Sequence, residues 1–161
     1  MKRWLVLFSA LPLLAFAAPQ EKIVTLGGDV TEIVYALGAS SSLVARDSTS
    51  QWPQAANVLP DVGYLRQLNA EGILSMRPTL VLASAQAQPS LALKQVEQSH
   101  VRVIAVPAAN DLSVIDEKVR IVAEATHREA EGEALRGKLR QALSTLPTSP
   151  LNKRVLFILN H

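Results

Sequence analysis

No cysteine occurs among the 161 residues, which excludes disulfides, thiolate nucleophiles, thiolate metal ligands and a lipid-bearing cysteine behind an export signal. Aromatic residues make up 4% of the chain. Without them and without a basic stripe, nucleic-acid binding has no support. Long apolar runs are also absent. The stretch from Trp4 to Phe16 falls short of the roughly 20 residues a membrane-spanning helix needs. Gly27-Gly28 has neither Gly-x-Gly-x-x-Gly spacing nor a following Gly-Lys-Ser/Thr, so a phosphate loop is not indicated. No Gly-x-Ser-x-Gly nucleophile elbow occurs. Beyond the export segment no histidine precedes His100, which disfavours a bare-metal carrier built on several converging histidines and carboxylates.

The short apolar run has another reading. Lys2 and Arg3 precede it, and Ala15-Phe16-Ala17 closes it with small-x-small spacing, the pattern of a cleavable signal peptide over residues 1–17 with cleavage before Ala18. Export to a periplasm follows. The full chain carries 16 Lys plus Arg against 14 Asp plus Glu; loss of Lys2 and Arg3 makes the two equal.

The mature part alternates short apolar runs with helical patterns. Strands are expected at Lys22–Leu26, Leu43–Arg46, Leu80–Ser84 and Val101–Val106, and helices at about Thr31–Leu37, Ala70–Met76 and Leu91–Ser99. This order predicts an α/β unit with a largely parallel sheet. Asp29 or Val30 is expected to open the first helix, with Glu32 as capping-box partner of Asp29, and Gly38 to stop it. Asp111 to Leu146 reads as nearly continuous helix with a break at Thr126–Arg128. Glu129, Glu131 and Glu133 ahead of Arg136, Lys138 and Arg140 add charge pairs on an exposed face. Arg154–Leu159 reads as a further apolar strand close to His161.

The segment Asp61-Val62-Gly63-Tyr64-Leu65-Arg66-Gln67-Leu68-Asn69-Ala70-Glu71-Gly72-Ile73-Leu74 carries most of the chemistry. Gly63 permits a turn that other residues resist, which presents Tyr64 and Arg66 on a loop. A phenolate is a hard oxygen donor suited to ferric iron and is among the protein ligands of haem. Free tyrosine titrates at about 10; iron, or a neighbouring guanidinium, favours the ionised form. Read without family context, Tyr64 is equally a half-buried loop tyrosine and Arg66 a solvated charge. Trp52 is either a cleft-edge aromatic or a loop anchor.

Over its full length this segment resembles that of the periplasmic haem-binding proteins of bacterial ABC-type haem importers, in their N-terminal part. The resemblance implies a helical-backbone (TroA-like) substrate-binding fold: a first α/β lobe at 18–126 with a parallel sheet flanked by helices, a long interlobe helix at 127–147, and at 148–161 the first strand of a truncated second lobe. It implies that Tyr64 ligates haem iron, that Arg66 either tunes this ligand or grips a propionate, and that Gly28 and Asp29 line the cleft. His161 matches the place of a second haem ligand, against which stands a plain terminal histidine. Glu71, in Asn69-Ala70-Glu71-Gly72-Ile73, would dock on arginines of the permease, a role compatible with a first-turn carboxylate favoured by the helix dipole. The implied function is capture of ferric haem by a non-enzymatic, monomeric carrier and its delivery to the permease, downstream of an outer-membrane haem receptor system. The alternatives are a ferric siderophore or cobalamin carrier of the same fold, with Tyr64 a cleft contact only, and a small exported α/β enzyme using the Gly27-Gly28 loop.

Overall fold

The computed structural model describes residues 21–109, 111–147, 153, 154, 156 and 158. The expected signal peptide and His161 lie outside these, as do 155, 157 and 159 of the strand expected at 154–159.

Four strands, β1 (Ile23–Leu26), β2 (Leu43–Arg46), β3 (Leu80–Ser84) and β4 (Arg102–Val106), form one sheet in the order β2-β1-β3-β4. Every pairing is parallel. The central strands β1 and β3 are buried at every position because both their faces are covered, whereas the edge strands β2 and β4 are only partly buried. Ile23, Leu80 and Leu82 point into one core and Val24, Val81 and Ala83 into the other, following the two-residue period of a strand. Each fully buried Val, Leu or Ile among them contributes roughly 1.5–3 kcal/mol over exposure.

Helices α1 (Gly28–Ala36), α4 (Val114–Ala125) and α5 (Glu129–Ser144) cover the first face, and α2 (Ala70–Ser75) and α3 (Leu91–Gln98) the second. Local chemistry fixes where several of them begin. The Asn69 side chain accepts a hydrogen bond from the Glu71 amide at 2.8 Å, and Ser90 Oγ one from the Leu93 amide at 3.2 Å, each satisfying an otherwise orphaned donor. Gly38, at φ 70°, donates its amide to Tyr35 O at 3.0 Å and ends α1 as expected. His100 and His127 follow the ends of α3 and α4 with φ of 63° and 55°, so both occupy left-handed helix-stop positions.

The start of α1 differs from expectation. The helix begins at Gly28 behind Gly27, with no side-chain cap; Asp29 is already inside the first turn and pairs with Lys118 of α4. Its carboxylate is therefore drawn to a neighbouring helix instead of the orphaned amides. The charges of α5 pair along the helix as expected at Glu133, with Arg136 and Arg140, and one of them makes a further contact. Arg136 pairs with Glu133 on its own helix at 2.7 Å but also reaches across to Asp116 of α4. Gly132 packs so closely on Ala123 that a Cβ there would stand 2.5 Å from the alanine's own, so α5 turns at Thr126–Arg128 and lies back along α4.

Candidate functional site

In open parallel sheets ligands bind beyond the carboxyl ends of the strands, where the chain order reverses. Here that point lies between β1 and β3, the central pair of the sheet. Gly27 follows β1 with φ 120°, and a Cβ on it would come within 2.8 Å of Ser84 Cβ at the end of β3. Gly28 lies as close to the next loop, where a Cβ would stand 2.9 Å from Thr49 O. These two glycines let three connections converge on one edge.

A buried carboxylate knits that edge together. Asp47, which follows β2, is fully buried. Its Oδ1 accepts from the Gly27 amide at 2.9 Å and Ser50 Oγ at 2.6 Å, and its Oδ2 from the Thr49 amide at 3.1 Å and Thr49 Oγ1 at 2.7 Å. Beneath it Thr31 Oγ1 donates to Thr25 Oγ1 at 2.7 Å and lies 2.7 Å from Ser50 Oγ. Sequence reasoning passed over Asp47, Thr25, Thr31 and Ser50. A polar residue directly behind an apolar strand was the available signal, because burial there demands partners.

The loop carrying Tyr64 is fastened to the same edge. Asp61 Oδ2 pairs with Arg46 Nη1 at 2.7 Å, while Asp61 Oδ1 accepts from the Gly63 amide at 2.8 Å and Ser48 Oγ at 3.0 Å. The Ser48 amide donates to Gly63 O at 2.9 Å. Gly63 has φ 100°, the conformation expected of it. Val62 and Leu65 are buried in the second core, and between them Tyr64 is 45% exposed. A turn closed by the Gln67 amide on Tyr64 O at 2.8 Å carries Arg66, also exposed, immediately beyond. One firmly held loop thus offers a phenol and a guanidinium to solvent. Such a pair can meet a hard cation and a carboxylate of one ligand.

The other expected site residues separate from this loop. Asp29, paired with Lys118, faces α4. Glu71 is exposed in the first turn of α2. Trp52 is 66% exposed and joins Glu32 and Tyr35 of α1 at a recess of its own. Among the described residues no group of three or more His, Asp or Glu side chains is arranged to hold a metal ion.

Comparison with known proteins agrees with this architecture. A periplasmic haem-binding protein from Pseudomonas aeruginosa superposes with a TM-score of 0.74 at 39% identity, covering 77% of this chain and 44% of that one. The periplasmic vitamin B12-binding protein of Vibrio cholerae gives a TM-score of 0.69 at 27% identity, over 78% of this chain and 49% of that one. The vitamin B12-binding protein of Vibrio vulnificus strain YJ016 is 37% identical over 82 residues, 51% of this chain and 30% of that protein. The chain therefore spans less than half the length of each of these relatives. The profile of the family described as periplasmic binding protein matches residues 23–149, and with the sheet, its flanking helices and the strand-end loops all in keeping with it, the chain belongs to that family.

Proposed function

We propose that this chain supplies the first ligand-binding lobe of a periplasmic carrier that captures ferric haem and hands it to the permease of an ABC importer. The observation that carries the reading is the exposed Tyr64 between two buried anchors, on a loop tied to the strand ends through Asp61. Tyr64 would ligate the iron as phenolate, and Arg66 would bind a propionate or hold that phenolate in its charged form. Glu71, solvent-facing on α2, would meet basic residues of the permease. Helix α5 would lead toward a second lobe, with His161 the candidate ligand from that side. The protein's part is binding and transfer; no catalytic step is assigned to it.

Cobalamin is the second reading, favoured by the similarity to vitamin B12-binding proteins. Haemin titration separates the two. Ferric haem on Tyr64 gives a tyrosinate-type absorption spectrum that Tyr64→Ala abolishes and Arg66→Ala shifts or weakens. A spectrum identical in wild type and Tyr64→Ala overturns the ligand assignment. Saturable uptake of cyanocobalamin with no haemin response selects the second reading.

A further inference from the structure

We propose that Trp52, Tyr35 and Glu32 form a separate site for an organic cation, a guanidinium or quaternary ammonium group. These residues, with Ala36 and Pro53, line an open recess of about 450 Å³ beside α1 that contains neither Tyr64 nor Arg66. Trp52 is 66% exposed, a large apolar side chain left in water. Among the described residues, the Glu32 carboxylate forms no ion pair, and the Trp52 indole N–H and Tyr35 hydroxyl make no hydrogen bond. Three side chains whose polar ends have no protein partner therefore line one recess, and no basic side chain lines it.

The chemistry of that set is selective. Aromatic rings attract a poorly hydrated cation through their quadrupole, and Trp is the strongest of them. A carboxylate beside the rings adds a charge that a neutral guest cannot use. An anion is repelled by Glu32, and a small inorganic cation is too strongly hydrated to benefit from the rings. The cation that fits is broad and weakly hydrated, whether free as an alkylated ammonium or borne on an arginine side chain of another protein. The site does not depend on what Tyr64 binds.

The full chain has two tryptophans, Trp4 and Trp52, so Trp52→Phe assigns the fluorescence signal. Titration with tetramethylammonium chloride, and separately with a capped arginine amide, is expected to change Trp52 emission saturably, beyond the effect of sodium chloride at equal ionic strength. Glu32→Gln, an exposed and nearly isosteric change, should weaken the response about threefold. Saturation by tetramethylammonium identifies a free ammonium as the guest, and saturation by the arginine amide alone identifies a side-chain guanidinium. A response to both cations no different from that to sodium chloride, or one unaltered in Glu32→Gln of unchanged circular dichroism, overturns the proposal.

Discussion

Arg46, the last residue of β2, and Asp61, 15 residues further along the chain, form an ion pair at 2.7 Å that joins the sheet to the Tyr64 loop. The arginine side chain is only 12% exposed, and Asp61 also holds the Gly63 amide and the Ser48 hydroxyl. Because Asp61 itself is well hydrated, the pair is screened and the global effect of losing it is small. Asp61→Ala should cost about 1 kcal/mol in urea unfolding. Its larger effect should be local: faster amide exchange at Gly63, whose acceptor is removed, with exchange in β1 and β3 unchanged.

Asp47 should be far less tolerant. Removing its carboxylate strands the buried Gly27 amide and the Ser50 hydroxyl together. Asp47→Ala is expected to destabilise the fold by about 2–4 kcal/mol. Asp47→Asn, which keeps one acceptor oxygen, should cost less. Chemical denaturation of the two variants orders them, and equal losses would show that neither the retained shape nor one retained acceptor suffices and that both carboxylate oxygens are needed.

The helical hairpin offers a matched pair of glycines. In an open helix Gly→Ala stabilises by about 1 kcal/mol. Gly137 has nothing within 4 Å of an added Cβ, so Gly137→Ala should raise the thermal midpoint. A Cβ added to Gly132 would stand 2.5 Å from Ala123 Cβ, and overpacking of that kind typically costs about 1–3 kcal/mol. Gly132→Ala should therefore lower the midpoint, and thermal unfolding of the two variants should move in opposite directions.

Acid should loosen the same hairpin. The hydrogen bond from Arg136 holds the Asp116 carboxyl below its ordinary 3.8, and the same partnership raises Arg136. A carboxylate depressed in the folded state stabilises it fully above the unfolded pKa and loses that contribution as pH falls through the folded one. Between about pH 5 and pH 2 the thermal midpoint should thus fall more steeply for the wild type than for Asp116→Asn, which has no such proton to take up. Parallel curves would mean that the pair adds no pH-dependent stability.

Much of this architecture is legible in the residues. Strand limits at Leu43–Arg46 and Leu80–Ser84 coincide with those observed, because apolar runs bounded by glycine, proline or polar residues leave little freedom. Gly63 and Gly38 announce their turns for the same steric reason. The exposure of Tyr64 and Arg66 follows from the alternation Val62, Tyr64, Leu65, Arg66 around that turn. What sequence spacing conceals is contact between distant segments. Asp29 looks like a cap beside Glu32, yet its partner Lys118 is 89 residues away. Asp47 looks like a loop residue, and only the convergence of β1, β2 and the Ser50 turn turns it into the hub of the strand ends.

The division of labour inside the Tyr64 loop bears on how such a protein changes over generations. Val62 and Leu65 hold the loop to the core while Tyr64 and Arg66 reach outward, so anchorage and presented chemistry are encoded by different codons. Replacing the outward pair leaves the packing beneath untouched. With Tyr64 and Arg66 in the binding roles proposed above, cargo preference would be free to drift one residue at a time, on a scaffold that need not be rebuilt.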